Sequence, residues 1–240
     1  MARCALVTGG AVRVGRAISL ALVSEGIRVV VHYNSSSEAA DELVAEIRAG
    51  GGEAVAVGAD LSRHGEVVRL AEEAEAAFGG VDVLVNNASV FPEEAFAEVG
   101  EELWDHTMAV NLRAPFFLTQ MIGARMRARG AGVVVNMVDL AGLQAWTGYA
   151  VHGVAKAGLV HLTKVAARAL APEVRVAGIA PGTVLPPDDF SEEEVQSLAR
   201  RTLLGSIGNP DDVVRALVYL VNSPFVTGEI MVVDGGRLIR

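Results

Sequence analysis

Four side chains in the middle of the chain have the chemistry of a proton-handling site. Tyr149, His152 and Lys156 stand at i, i+3 and i+7. On a helix that spacing puts a phenol, an imidazole and an ammonium on one stripe. Asp139 lies thirteen residues before His152. A phenol or imidazole exchanges protons with a substrate, an ammonium orients and polarises, and a carboxyl group at a strand end acts as donor or relay. Asp139 is equally suited to capping the turn that follows it. The elements around this stripe must therefore bring a reactant to it.

Those elements alternate. Short apolar runs rich in β-branched residues fall at 5–7, 28–32, 54–57, 81–85, 133–138, 174–179 and 231–233. Helical patterns fall between them, at 14–25, 38–48 and 66–78, as one or two helices over 101–129, and from the reactive stripe to about 170. Unbroken runs such as Val29-Val30-Val31 are typical of strands buried on both faces. The pattern predicts an α/β fold: a three-layer, doubly wound parallel sheet of about seven strands with helices on both faces. Gly50-Gly51-Gly52 reads as a helix end and turn, and no linker-like tract divides the chain, so residues 1–240 read as one domain. In such sheets ligands bind outside the carboxyl ends of the strands.

The first such end is Thr8-Gly9-Gly10-Ala11-Val12-Arg13-Val14-Gly15-Arg16, between a strand and a helix. Glycines let the backbone turn tightly and approach a phosphate, and the helix N-terminus offers free N–H groups. This loop resembles the T-G-x-x-x-G-x-G motif of short-chain dehydrogenases/reductases. Further matches run the length of the chain: Asp60-Leu61 after the third strand, Asn86-Asn87-Ala88-Ser89 after the fourth, Asn111 within Val110-Asn111-Leu112, Pro181-Gly182 with Thr183 after the sixth, and Thr227-Gly228 with Val233-Asp234-Gly235-Gly236 near the end. The resemblance implies a Rossmann-type fold and a nicotinamide dinucleotide held by these turns. It also implies a small-molecule substrate reduced by hydride transfer, and a homo-oligomer, dimer or tetramer, built on the helices near 115–121 and 149–170.

Three positions depart from the family pattern, and two of them resemble pteridine reductases. Arg13 replaces the middle glycine, which in that group implies contact with cofactor phosphates and substrate; a solvated first-turn arginine is the alternative. Asp139 stands where the family has a serine, and the resemblance implies a part in protonating a pterin ring. His152 stands where the family has its tyrosine, four before the family lysine, Lys156. Three readings stay open: His152 acts as the acid with Asp139, Tyr149 supplies a phenol one turn earlier, or the chain binds cofactor with little turnover.

The second strand ends in His32-Tyr33-Asn34-Ser35-Ser36-Ser37, with no carboxylate before Glu38. An acid there holds the ribose 2′-hydroxyl of NAD; its absence favours NADP(H), with His32, Asn34, Ser35 and Ser36 as hydrogen-bonding partners of the 2′-phosphate. Phe91 is placed either to stack on a planar substrate or to pack in the core. Residues 183–201, with Pro186, Pro187, Asp188 and Asp189 at their start, read as a lid over the substrate or as a polar surface loop. The net charge of −9 argues against nucleic acid as a partner. No run of about 18 apolar residues indicates a membrane span. The five histidines show no metal-ligand spacing, and Cys4, the single cysteine, reads as a buried thiol. The apolar start without a leader pattern suggests a cytoplasmic protein. The leading expectation is NADPH-dependent reduction of a C=N bond in a dihydropterin-like ring. The alternatives are a carbonyl reductase of the oxoacyl type and a catalytically weak NADP(H)-binding protein.

Overall fold

A computed structural model describes residues 2–187 and 190–240. Asp188 and Asp189, part of the expected lid, lie outside the described residues. The strands are β1 (Cys4–Val7), β2 (Arg28–Tyr33), β3 (Ala54–Gly58), β4 (Val83–Asn86), β5 (Gly132–Met137), β6 (Val174–Pro181) and β7 (Ile230–Val233). They form one parallel seven-stranded sheet in the order β3-β2-β1-β4-β5-β6-β7. The order reverses between β1 and β4, and the crevice beyond their carboxyl ends is the place where such sheets bind ligands.

Alternation along the strands builds two cores. Leu6, Val30, Leu84, Val134 and Val176 face one side. There they meet α3 (His64–Phe78), α5 (Ala114–Arg129) and α6 (Ala150–Leu170) through residues such as Leu70, Ile122 and Leu159. Val7, Val31, Val85, Val135 and Ile179 face the other side. They meet α1 (Arg13–Ser24), α2 (Ser37–Ala49) and α8 (Pro210–Asn222) through Ile18, Leu43 and Leu217. Cys4 lies within the first core, where burial pushes its thiol up to about 12, so it stays protonated and inert. Among the described residues no helix is long and apolar enough to cross a membrane.

Three local features differ from the sequence reading. Tyr149 is not on the helix stripe. It is the N-cap of α6, at φ −130° and ψ 37°, so only His152 and Lys156 share the buried helix face. The stretch 101–129 is α4 (Glu101–Met108) and α5 joined by a π-helical turn, Ala109–Arg113, whose extra residue turns Asn111 inward to complete burial. Helix α8 was not expected. Asn209 and Asp212 form a reciprocal capping box ahead of it, with Pro210 in the first turn, and Val213, Leu217 and Leu220 are its apolar face. The expected lid holds α7 (Glu192–Ala199), started by the Ser191–Glu194 capping box.

The layers beside the crevice are locked by a buried polar chain. Asn86 Nδ2 donates to Thr119 Oγ1 at 3.1 Å and to Asn136 Oδ1 at 2.8 Å. Asn136 Nδ2 donates to Thr163 Oγ1 at 2.9 Å. The chain ties β4 and β5 to α5 and α6. Replacing Asn136 by Ala removes two buried hydrogen bonds and leaves one Asn86 amide hydrogen without its acceptor, so urea unfolding is predicted to lose about 2 kcal/mol. A loss under about 0.5 kcal/mol would show that the chain contributes no stability.

Candidate active site

The first turn is stapled to the tip of β4. Thr8 Oγ1 accepts the Asn87 and Ala88 N–H groups at 2.9 and 3.0 Å. Asn87 Nδ2 donates to the carbonyls of Thr8 (2.8 Å) and Gly9 (3.1 Å). The space is too small for side chains: a Cβ at Gly15 would overlap the Gly9 carbonyl oxygen, and one at Gly9 would sit 3.1 Å from Ala88 Cα. Gly9 also needs its φ of +61°. Val12, at the N-cap of α1, has no side chain to satisfy the first-turn N–H groups, and the first turn carries no acid. A bare helix N-terminus over a glycine floor fits a phosphate.

One cleft of about 410 Å³ runs over this turn. Gly9, Arg13, Val14, Gly15, His32, Tyr33, Asn34, Ser35, Ser36, Asp60, Leu61, Asn87, Ala88 and Ser89 all line it, as expected from the sequence. Val90, His106 and Val110 line it too and were not foreseen. His106 comes from α4, and only the tertiary packing brings it there. Ser36 is the N-cap of α2, yet its side chain caps nothing, which leaves a second bare helix end beside Asn34 and Ser35. Asp60 is engaged by Ser62, whose hydroxyl at 2.6 Å is the main cause of its lowered pKa.

His32 has a different role from the one expected. Its ring is buried, Nδ1 accepts the Gly9 N–H at 3.0 Å, and Nε2 pairs with the Ala59 carbonyl at 2.9 Å. Neither nitrogen is left for a phosphate. The ring shapes the glycine turn from beneath instead. Burial pushes its pKa down to about 4. Arg13 also departs from expectation. Its φ is +50°, in the left-handed region its glycine counterpart would favour, and its guanidinium donates to the Leu185 carbonyl at 2.7 Å. It bridges the first turn to the loop after β6.

The reaction centre lies at the tip of β5. Lys156 is fully buried, with Nζ donating to the Met137 carbonyl at 2.8 Å. Burial pushes its pKa down to about 8, with Asp139 opposing. Asp139 Oδ1 accepts the Ala141 N–H at 2.7 Å, so it does cap the following turn, and Oδ2 faces His152 Nε2 at 3.8 Å. That Nε2 is buried with no hydrogen-bond partner among the described residues. His152 Nδ1 sits between two groups, the Val90 carbonyl at 3.1 Å and Asn111 Nδ2 at 3.2 Å. Asn111 in turn clamps the Val90 backbone through both its side-chain atoms, each at 2.8 Å.

Tyr149 does not point at this pair. Its hydroxyl donates to Glu93 Oε2 at 2.7 Å, the main cause of a raised pKa that makes it a weaker acid. Its ring stacks on Phe91 at 4.3 Å, and Phe91 meets His152 edge-on at 4.5 Å. Phe91 is half-exposed, so it is a platform beside the site and not a core residue. Pro181, Gly182 and Thr183 lie at the tip of β6, next to β5, and are not in the cleft lining.

The family model described as enoyl-(acyl carrier protein) reductase matches residues 10–237. The chain belongs to the short-chain dehydrogenase/reductase family. Within it, a 3-oxoacyl-[acyl-carrier-protein] reductase of Synechocystis is 35% identical over 99% of this chain and 98% of its own. An L-rhamnose 1-dehydrogenase (NAD(P)(+)) of Azotobacter vinelandii is 34% identical over 98% and 96%. Among solved structures, the FolM alternative dihydrofolate reductase 1 of Brucella canis, complexed with NADP, has a TM-score of 0.93 at 32% identity, over 99% of this chain and 94% of that one. The angucycline C-6 ketoreductase LanV with bound NADP has a TM-score of 0.91 at 30% identity, over 99% and 96%.

In this short-chain reductase the His32 ring stays neutral in the fold, whereas in the unfolded chain it gains a proton below about pH 6.5. Stability from this group is complete above pH 6.5 and is lost as pH falls towards 4, by up to about 3 kcal/mol. His32→Gln is therefore predicted to be less stable than the parent at pH 7.5, with the gap closing towards pH 4.5 in urea titrations. A gap independent of pH would refute the neutral buried ring.

Proposed function

We propose that the chain is a cytoplasmic NADPH-dependent reductase acting on a C=N bond of a dihydropterin-like ring, with Asp139 and His152 handling the proton. The observation that carries this reading is the pair itself. A carboxylate replaces the family serine, and the unpartnered Nε2 of a buried histidine faces it. The half-exposed Phe91 face beside them suits a flat heterocycle.

Residues 9–15 and 87–89 would hold the pyrophosphate and nicotinamide side, and Tyr33, Asn34, Ser35 and Ser36 the 2′-phosphate, with Pro181–Thr183 beside the ring. Bound NADPH supplies the hydride. Position divides the remaining roles. The Asp139 side chain is 24% exposed and His152 only 2%, so Asp139 meets the substrate and His152 stands behind it as the store. Nδ1 can donate a hydrogen bond to the Val90 carbonyl or accept one from Asn111, so both ring tautomers have a partner there and Nε2 can face Asp139 with or without its hydrogen. Lys156 supplies a cation near Asp139, whose charge in turn favours the ammonium form of the lysine. Helix α7 acts as the lid.

Carbonyl reduction is the second reading. It is favoured by the 3-oxoacyl and ketoreductase names of the relatives, and it would use the same Asn111 and Lys156. We further propose self-association as a dimer or tetramer through α5 and α6, where Phe116, Val154 and Val165 are exposed apolar side chains.

The test follows NADPH oxidation with dihydrobiopterin, quinonoid dihydropterin and a ketone panel. Pterin turnover is expected, with Asp139→Ala losing about 100-fold in kcat and His152→Phe about tenfold. Turnover of ketones alone selects the second reading. Wild-type kcat in both variants would remove the pair from the chemistry.

A further inference from the structure

A second cavity opens where the aromatic platform ends. Phe91 stacks on Tyr149, the Tyr149 and Trp146 rings lie 6.2 Å apart, and the Arg237 guanidinium carbon sits 4.7 Å over Trp146. The row thus leads from His152 to a cation. Arg237 then forms one wall of a cavity of about 430 Å³, whose other walls are Gln144, Arg200, Arg201 and Arg240. Four arginines line this one opening in a chain whose net charge is −9. Among the described residues none of the four forms an ion pair.

Arg200, Arg201 and Arg240 are exposed, and hydrogen bonds hold the frame that carries Arg237 and Arg240. Asp234 accepts the Gly236 and Leu238 N–H groups at 2.8 and 2.6 Å, which fixes the turn bearing Arg237. Gln144 Nε2 donates to the Leu238 carbonyl at 3.1 Å and joins that turn to the loop that begins at Asp139. Arg237 is held by Thr183 Oγ1 at 3.3 Å, and Arg240 by the Thr202 carbonyl at 3.0 Å, beside Arg200 and Arg201. Burial, with Arg201 adding to it, lowers the Arg237 pKa, and Asp139 and Asp234 oppose this. Arg237 thus joins the end of the aromatic row to the arginines around the opening. Like charges held together repel, and an anion bound between them relieves that repulsion through charge-assisted, bidentate hydrogen bonds.

We propose that Arg200, Arg201, Arg237 and Arg240 form an anion subsite that receives the far end of the substrate. Preferred substrates then carry a carboxylate or phosphate tail, remote from the reduced bond and joined to it by a segment lying along Phe91, Tyr149 and Trp146. The proposal rests on the reductase reading for the reacting head alone. Carboxylates of a glutamyl-type tail and the phosphate of a pantetheine-type arm share this chemistry.

Two kinetic pairs separate the tails: dihydrofolate against dihydrobiopterin, and acetoacetyl-coenzyme A against ethyl acetoacetate. In each pair the heads react alike and only one member carries the anion. The ratio of kcat/KM, charged over uncharged, is expected to fall about tenfold or more in the Arg201→Gln, Arg240→Gln double variant, and also when salt is raised in the parent. The pair that responds names the tail. Calorimetry covers the case in which no head is reduced. The probes are 4-aminobenzoyl-glutamate against 4-aminobenzamide, and phosphopantetheine against pantetheine. At least one charged probe is expected to bind the parent about tenfold more tightly than it binds the double variant. No turnover with this preference intact would end the reductase reading and leave the subsite standing. Unchanged ratios, or charged probes that bind parent and variant equally, would overturn the subsite.

Discussion

The structure depends on how closely two backbone segments approach each other at the tips of β1 and β4. Asn87 donates two hydrogen bonds to Thr8 across the gap, and Gly15 lies so near the Gly9 carbonyl that no side chain fits between them. Everything downstream inherits this contact. It aims the bare N-terminus of α1 at the crevice. It also fixes the residues that follow β4: Val90, gripped by Asn111, gives His152 its Nδ1 partner. The cradle and the reaction centre are thus successive stretches of one hydrogen-bonded path.

The exchange of a tyrosine for a histidine changes the chemistry of the site more than its shape. A phenol on the exposed side of a lysine would meet the substrate itself. The His152 imidazole is shorter and fully covered, and the more exposed Asp139 faces it from the end of β5 at 3.8 Å. Burial pushes the Lys156 pKa down to about 8, and Asp139 opposes that loss of charge. The two departures from the family pattern therefore complement each other. In the proposed reaction the carboxylate supplies the reach that the imidazole lacks.

Much of this was legible in the residues. Uninterrupted valine runs gave the parallel sheet because strands buried on both faces need no polar alternation. The glycines of the first turn gave the crevice because few other contexts require that spacing. Other features were hidden for physical reasons. Tyr149 has helical spacing to His152, but the turn through Trp146 hands its N–H to the Trp146 carbonyl, and its hydroxyl is captured by Glu93. His32 looked like a phosphate ligand because the sequence does not show that both ring nitrogens face backbone. Helix α8 announced itself in Asn209-Pro210-Asp211-Asp212 and was overlooked, whereas the π turn that buries Asn111 has no sequence signal at all.

The central claim is that the Gly9–Gly15 turn is the seat of a phosphorylated dinucleotide. Calorimetric titration of NADPH and NADH into the parent and Gly15→Ala tests it most directly. The account predicts micromolar binding of NADPH to the parent and at least tenfold weaker binding of NADH, both on the order of magnitude set by one lost charged contact. It also predicts that a folded Gly15→Ala protein binds neither measurably. Equal affinity of the parent and a folded Gly15→Ala variant for NADPH would contradict it.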